Sequence, residues 1–210
     1  MKIILGKKLG MTRVFGKDGK AMAATVVEAG PCYITQIKNK EKDGYNALQI
    51  GYKSVKYLNK PEKGHLEKNK IDKINFLQNL KECRVKEEEI SKYKIGDEIK
   101  IDLFKPGDKV NISGVSKGKG FQGTVKRHNF TTGPKTHGSD NYRQPGSIGA
   151  TYPQRTIKGK RMSGHMGCEN VSVKNLEIID VILEQNLLLI YGAVPGIVNN
   201  FITIKGVNNE

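Results

Sequence analysis

The sequence has few cysteines and no long apolar run. Its three cysteines, Cys32, Cys83 and Cys168, are odd in number and widely separated, so we expect reduced thiols rather than a disulfide framework. The apolar run at 2–5 ends at a glycine and is too short for the core of a signal peptide. The most apolar late stretch, 181–198, is interrupted by polar residues, glycine and proline. We therefore expect a cytosolic chain without membrane insertion.

Acidic residues are also scarce. The 210 residues include 21 Asp and Glu against 36 Lys and Arg, which gives a net charge of +15 and a pI near 9.6. Such a chain is attracted to phosphate backbones. The excess is concentrated in residues 116–170, here called the basic arm, where ten basic residues face only Asp140 and Glu169. Four of the six arginines lie there, and the planar guanidinium binds phosphate in bidentate fashion.

The basic arm is poor in apolar residues as well. Its clear aliphatic side chains are Val125, Ile148 and Ile157. Ordering a backbone costs on the order of 1 kcal/mol per residue, which these few side chains cannot offset. We therefore expect the arm to take its shape on a polyanionic partner, and its arginines favour a nucleic acid. A lysine-rich surface without a particular partner is the alternative.

The remaining residues show the pattern of short β-strands separated by turns. Asp-Gly and Pro-Gly pairs stand between alternating runs rich in β-formers, which is the signal of antiparallel hairpins. We predict strands at 11–15, 22–28, 32–37, 45–52, 98–103, 109–115, 171–173, 176–183, 187–191 and 197–204. A short helix is predicted at 61–69 and helical turns at 85–90.

Together these elements predict a mainly β fold. One antiparallel β-barrel would comprise residues 1–115 and 171–210, with a small, partly helical insertion at 61–95 on its periphery. The basic arm at 116–170 would be a long, extended insertion between two barrel strands. A loop of this length inside a compact domain is expected only where it is functional.

Gly118, Gly120 and Gly123 match G-x-G-x-x-G, the dinucleotide-binding pattern. That site requires a helix directly after the glycines and an acidic residue about twenty positions on. The β-branched, basic run at 124–134 is not expected to form that helix. We instead expect these glycines to let the backbone approach an RNA strand closely, because a Cβ would hold it away.

His128, His137, His165 and Cys168 suggest a zinc site or an RNase-like acid–base pair as alternatives. Their spacing is irregular, and only His165 and Cys168 stand at a ligand-like separation. Paired carboxylates are missing from the arm. We predict no metal, no other cofactor and no enzymatic activity, and we expect histidines here to stack on bases or donate to phosphate.

The segment 104–127 resembles the signature of a known family. The residues that carry the resemblance are Phe104, Asn111, Gly114, Ser116, Gly118, Lys119, Gly120, Gly123 and Arg127. Further similar stretches lie at 5–12, 27–32, 145–149, 158–162, 186–189 and 192–196, so the likeness covers nearly the whole chain. The sequence resembles the bacterial branch of the L-three family of large-subunit ribosomal proteins.

This resemblance implies a translation-protein-type β-barrel and a structural, cytoplasmic role in the large ribosomal subunit. It implies that the chain binds large-subunit rRNA near its 3′ end, helps to start subunit assembly, and lies beside large-subunit proteins fourteen and nineteen. The arm would run between rRNA helices toward the peptidyl-transferase centre. By position, its tip would comprise Gly146, Ser147, Ile148, Gly149, Ala150, Thr151, Tyr152, Pro153 and Gln154.

The tip departs from the proteobacterial pattern of that family. Ala150-Thr151-Tyr152 stands where those relatives carry a run with a modified glutamine. We therefore do not expect that modification at Gln144 or Gln154.

Twelve side chains of the arm are predicted to bind RNA. They are Lys117, Lys119, Lys126, Arg127, His128, Lys135, His137, Arg143, Arg155, Lys158, Lys160 and Arg161. The aromatic rings of Phe121, Tyr142 and Tyr152, with the His128 imidazole, are predicted to stack on bases or wedge between them.

Overall fold

The computed structural model describes residues 2–16, 18–68 and 77–207. Its strands are β1 (Ile3–Phe15), β2 (Ala21–Ala29), β3 (Cys32–Lys38), β4 (Ala47–Ser54), β5 (Leu77–Arg84), β6 (Glu98–Ile99), β7 (Lys109–Val115), β8 (Gly120–Gln122), β9 (Gly164–Met166), β10 (Asn170–Ile182), β11 (Leu187–Tyr191) and β12 (Phe201–Gly206). Its helices are α1 (Lys40–Asp43), α2 (Lys60–Lys68), α3 (Glu87–Ile90) and α4 (Thr124–His128), with a 3₁₀ turn at Ile101–Leu103. Within those ranges, every helix is too short or too polar to cross a lipid bilayer.

The chain divides into two compact units. The barrel unit comprises Met1–Val115 and Asn170–Glu210, and the inserted unit comprises Ser116–Glu169. Asn170, which the sequence prediction assigns to the basic arm, is the first residue of β10.

Six strands close into a barrel in the order β1-β12-β7-β10-β11-β2, and every pair is antiparallel. Alternate residues of each strand point inward. Ile204 of β12, for example, lies between Ile4 of β1 and Ile112 of β7, and all three are fully buried. Each such burial contributes about 1.5–3 kcal/mol to stability. The prediction of a mainly β fold with an antiparallel barrel is confirmed.

Strands β3 to β6 form a separate sheet in the order β5-β4-β3-β6. Ile34 and Leu48 of this sheet share one hydrophobic core with Leu5 of β1. The prediction of a single barrel that includes these strands is therefore wrong. The physical reason lies in β4, whose residues Ala47 to Tyr52 are all buried, because a strand covered on both faces belongs between two layers.

A hydrogen-bonded group covers the second face of β4. Gln49 Oε1 accepts from Thr35 Oγ1 (2.8 Å) and lies 3.0 Å from Nε2 of His65 on α2. The predicted helix at 61–69 is present as α2, which begins at Lys60. Residue 69 of the predicted helix lies outside the described residues. The same holds for residues 69–76 of the predicted insertion at 61–95.

Several predicted strands have different boundaries. β1 begins at Ile3 instead of 11, and the predicted strands 171–173 and 176–183 are one continuous strand, β10. The predicted 98–103 strand ends at Ile99 and continues as the 3₁₀ turn, whereas β12 begins at Phe201 rather than 197. Strand β5 is not in the sequence prediction at all.

The 192–200 loop is tied to β1 by a buried lysine. Lys8 Nζ donates to the carbonyl oxygens of Val194 (2.7 Å) and Gly196 (3.2 Å). The Lys8 amide also donates to Asn200 O (3.0 Å). These bonds satisfy carbonyl groups that would otherwise be costly to bury.

Three residues of the family-like signature have structural roles in this unit. Phe104 is buried in the core. Asn111 Oδ1 accepts from the Asn175 amide (2.9 Å) where the pairing of β7 and β10 shifts register. A Cβ on Gly114 would lie 3.0 Å from Ile202 Cγ2, tighter than most real contacts. This part of the signature therefore serves folding.

Candidate nucleic-acid interface

The two ends of the inserted unit are paired through their backbone. The Ser116 amide donates to Glu169 O (2.9 Å), and the Glu169 amide donates in return to Ser116 Oγ (3.2 Å). Beyond them, β8 and β9 pair as a two-stranded antiparallel ribbon. The sequence predicts no strand at these ends, where backbone hydrogen bonds pair β8 with β9 without an apolar core. That the arm as a whole takes its shape on a partner stays a prediction.

The three glycines of the G-x-G-x-x-G match have different roles. A Cβ on Gly118 would lie 2.8 Å from Cys168 Sγ, so a side chain there would force the exposed Cys168 thiol to shift. Gly120 has a φ of +67°, which favours glycine, whereas a Cβ on Gly123 would meet no described atom within 4 Å. Close approach to RNA stays a prediction for all three glycines. At Gly118 the neighbouring Cys168 thiol is a further reason for the lack of a side chain.

A helix follows these glycines directly. The expectation that none opens there is wrong, since α4 begins at Thr124 and the Arg127 amide donates to Gly123 O (3.0 Å). The helix ends at His128 after five residues, and the next residue, Asn129, adopts a φ of +58°. Contacts to a distant segment outweigh the low helix propensity of the run. The preceding strand β8 pairs with antiparallel β9, which is not the parallel βαβ unit of a dinucleotide site.

The side chains of Arg127 and His128 fasten α4 to the segment before β9. Arg127 Nη1 donates to Met162 O (2.8 Å), and His128 Nε2 lies 3.0 Å from the same oxygen. The His128 ring also lies 6.1 Å from the Phe130 ring, centroid to centroid. Both predicted RNA ligands are thus half-buried and already have partners within the chain.

A second internal contact involves Lys135 and Tyr142. Lys135 Nζ lies 5.3 Å from the centroid of the Tyr142 ring, within the range of a cation–π interaction. The Gly133 amide donates to Tyr142 O (2.9 Å). One predicted stacking ring is therefore engaged by a predicted phosphate ligand.

The predicted tip, residues 146–154, is exposed at every position. Ser147 Oγ donates to Gly149 O (2.8 Å), and the Arg155 amide donates to Pro153 O (2.6 Å). Tyr152 is 88% exposed. Local turns give this segment its conformation, and its surface is open to a partner.

The predicted RNA ligands form a cationic surface with few internal partners. Ten of the twelve are exposed, and only Arg127 and His128 are half-buried. Among the described residues, none of the twelve forms an ion pair. Like charges at this density repel one another, and a polyanion would relieve the repulsion.

The structure offers little for the alternative chemistries. Across 2–16, 18–68 and 77–207, no three His, Cys, Asp or Glu residues stand close enough together to hold a metal ion. Burial raises the pKa of the Cys32 thiol to about 12 and that of Cys83 to about 11, so neither is a ready nucleophile. Cys168 is exposed.

The sequence prediction overlooked one neighbour relationship. It groups His165 with the other histidines of the arm and with Cys168, and not with Phe121, whereas the ribbon places His165 directly opposite Phe121. Each strand of the ribbon has only three residues, too few for alternation to be visible in the sequence.

Comparisons with known proteins agree with the resemblance seen in the sequence. The family model for Ribosomal protein L3 matches residues 85–186. The large ribosomal subunit protein uL3 of Finegoldia magna is 48% identical over 208 residues, which cover 98% of this chain and 97% of that protein. The large ribosomal subunit protein uL3 of Carboxydothermus hydrogenoformans is 47% identical over 206 residues, with coverages of 97% and 96%.

Proposed function

The chain belongs to the ribosomal protein L3 family, and from that premise we propose that its inserted unit binds large-subunit rRNA directly. As a member of this family it is a structural constituent of the large ribosomal subunit, located in the ribosome in the cytoplasm, and it is not an enzyme. It associates there with large-subunit rRNA and other ribosomal proteins. The residues that make these contacts are the subject of the proposal.

One observation carries the proposal: ten exposed cationic or imidazole side chains lie in a unit with two acidic residues and no ion pair among its described side chains. Lysine and arginine neutralise phosphates and release counterions, which supplies most of the affinity of such interfaces. Exposed, glycine-rich backbone lets an RNA strand approach the protein closely. The unit thus has the charge of a phosphate-binding surface.

The finer parts of the proposal concern place and timing. We infer that residues 146–154 lie toward the peptidyl-transferase centre, that the protein binds near the 3′ end of the rRNA, and that it helps to nucleate subunit assembly beside proteins fourteen and nineteen. The family resemblance motivates these statements. The full exposure of 146–154 supports the first, because a tip that enters RNA must have its surface free.

The salt dependence of binding tests the direct rRNA contact. If about six to ten phosphates are contacted, the affinity of the full-length protein for large-subunit rRNA should fall by roughly 10³ to 10⁵ between 50 and 200 mM salt. Lys158→Gln and Lys160→Gln should each make the slope of log K against log salt less steep by about 0.9 per lost contact. Lys20→Gln, an exposed lysine of the barrel unit, is the matched control and should leave the slope unchanged.

Two further outcomes would decide against this mechanism. A complex insensitive to salt would contradict phosphate neutralisation, and equal competition by duplex DNA would indicate nonspecific nucleic-acid binding instead. Co-sedimentation with large subunits after a high-salt wash separates specific incorporation from loose association.

Tethered cleavage tests the position of the tip. Ala150→Cys in a Cys168→Ser background gives one exposed thiol, since Cys32 and Cys83 are buried. An iron chelate attached there should cleave rRNA of the peptidyl-transferase region in assembled subunits. The same chelate on Glu184→Cys of the barrel unit should cleave elsewhere. Identical cleavage from both positions would contradict the proposed placement.

A further inference from the structure

The ribbon of β8 and β9 has two different faces. Its register pairs Gly120 with Met166, Phe121 with His165, and Gln122 with Gly164. Directly opposite residues of an antiparallel pair point to the same face, with their Cβ atoms about 4.5–5.5 Å apart. Phe121 and His165 therefore leave the ribbon side by side.

The reverse face of the ribbon is covered by the inserted unit itself. A Cβ on Gly164 would point to that face and would lie 2.5 Å from Nη1 of Arg127. Side chains alternate along a strand, so His165, the next residue, points away from Arg127. Internal packing thus uses one face and leaves the other free.

The free face exposes a large apolar ring. Phe121 is 75% exposed, and His165 is exposed as well. Within the described part of the chain, neither ring stacks on another aromatic ring or accepts or donates a side-chain hydrogen bond. Burying the Phe121 ring against a partner would remove apolar surface from water, a gain that the free chain does not realise.

The surroundings of this pair favour an RNA base as that partner. Lys117 and Lys119, both exposed, precede Phe121 along the chain. A base offers a flat π face with a phosphate attached, and both parts fit a phenyl ring, an imidazole and nearby ammonium groups. An apolar protein surface would have to bury or neutralise those charges.

The other predicted stacking rings are less available. Tyr142 faces the Lys135 ammonium, and His128 lies against Met162 O. Tyr152 is open but lies in an irregular segment without a directly paired ring. Phe121 and His165 on the ribbon are both exposed, and strand pairing holds each directly opposite the other.

We propose that Phe121 and His165 form a stacking site for an unpaired base of large-subunit rRNA. This site rests on the RNA-binding function proposed above and adds His165 to it. The phenyl ring supplies the stacking surface and the imidazole extends it across the ribbon.

The chain has no tryptophan, which makes a direct test possible. Phe121→Trp would carry the sole indole, and its fluorescence should be quenched when the full-length protein is titrated with large-subunit rRNA. Phe15→Trp, at a 64% exposed position of the barrel unit, is the matched control for inner-filter effects and loose contacts. Equal quenching at the two positions would overturn the site.

Affinity measurements separate stacking from charge. Stacking on one base is worth about 1–3 kcal/mol, so Phe121→Leu should weaken rRNA binding by about 5- to 150-fold without changing the salt slope. His165→Ala should weaken binding in the same way, and His165→Phe should restore it. Circular dichroism of each variant should match the wild type, because both side chains are exposed.

The outcomes distinguish this site from the function on which it rests. Wild-type affinity of Phe121→Leu would overturn the site while leaving rRNA binding by the basic residues intact. Wild-type protein that fails to bind rRNA would overturn the proposed function and the site together. An indole that changes only when other ribosomal proteins are added would assign this face to a protein contact and overturn the base-stacking proposal.

Discussion

The guanidinium of Arg127 occupies the space that a side chain at Gly164 would need. A Cβ on Gly164 would lie 2.5 Å from Nη1 and 3.0 Å from Cζ of Arg127. Because the same Nη1 donates to Met162 O (2.8 Å), Arg127 cannot move aside without losing that bond. Arg127 and Gly164 thus fix α4 against the ribbon, although they lie more than thirty positions apart in the sequence.

Gly164→Ala should therefore loosen the inserted unit locally. Displacing Arg127 from Met162 O should cost about 1–3 kcal/mol, which lowers the hydrogen-exchange protection of the Lys119 amide, bonded to Met166 O, by about 5- to 150-fold. Gly149→Ala, whose Cβ would meet no described atom within 4 Å, is the control. In an Arg127→Ala background, Gly164→Ala should cost nothing further, and additive losses in that double variant would refute the coupling.

Proteolysis should distinguish the middle of the inserted unit from the barrel unit. An arginine-specific protease has six sites, of which Arg13 and Arg84 lie in β1 and β5 and Arg127 in α4. Arg143, Arg155 and Arg161 are exposed and lie outside regular secondary structure. Free protein should be cut first at these three positions, because exposed backbone opens at the lowest free energy. Early cleavage confined to Arg13 and Arg84 would contradict this division, and bound rRNA should protect the three arm sites.

The barrel was predictable where local pattern and turn chemistry agree. β7 and β11 have the boundaries that alternation and flanking turns predict. Which strands pair was not predictable, because an alternating strand suits a barrel and a separate sheet equally well. The clue to the second sheet was β4, which is buried continuously rather than alternately, and a continuous apolar run does not identify its neighbours.

The charge of the candidate site was evident in the sequence, but its internal contacts were not. Composition alone locates the cationic segment and its exposed lysines. The partnership of Arg127 with Met162, and of Phe121 with His165, depends on contacts between segments more than thirty residues apart. Helix α4 escaped prediction for the same reason, since five residues carry too little periodicity and its stability comes from tertiary contacts.

Thiol labelling should find one reactive cysteine in the folded protein. Burial raises the pKa of Cys32 to about 12 and of Cys83 to about 11, so at pH 8 each thiolate fraction is about 10⁻³ or lower. Cys168 is exposed and should react alone with a disulfide reagent, while denaturant should release all three thiols. Cys168→Ser should abolish this fast phase of thiol labelling in the native protein. A fast phase of two or three thiols in native protein would show that the shared core opens readily.

A charged network joins β3 and β5, which flank β4 in the second sheet. Lys38 Nζ lies 2.7 Å from Glu82 Oε1, and Tyr45 donates its hydroxyl to Glu82 Oε2 (2.7 Å). Lys38 Nζ also donates to the Tyr45 hydroxyl (2.9 Å). The hydrogen bond from Lys38, followed by that from Tyr45, holds the pKa of Glu82 below its ordinary value. The same bond raises the pKa of Lys38.

The depressed pKa of Glu82 predicts a stability difference that disappears in acid. A carboxyl group with a lowered folded-state pKa stabilises the fold above its unfolded pKa, about 4.5, and this contribution is lost as pH falls through the folded value. Glu82→Gln should therefore lower the urea midpoint at pH 6–7, and the gap to wild type should close below about pH 4.5. Glu88→Gln, an exposed change on α3, should show no such gap. A gap of constant size from pH 7 to pH 3 would mean that the lost stability comes from packing rather than from the ionised carboxylate.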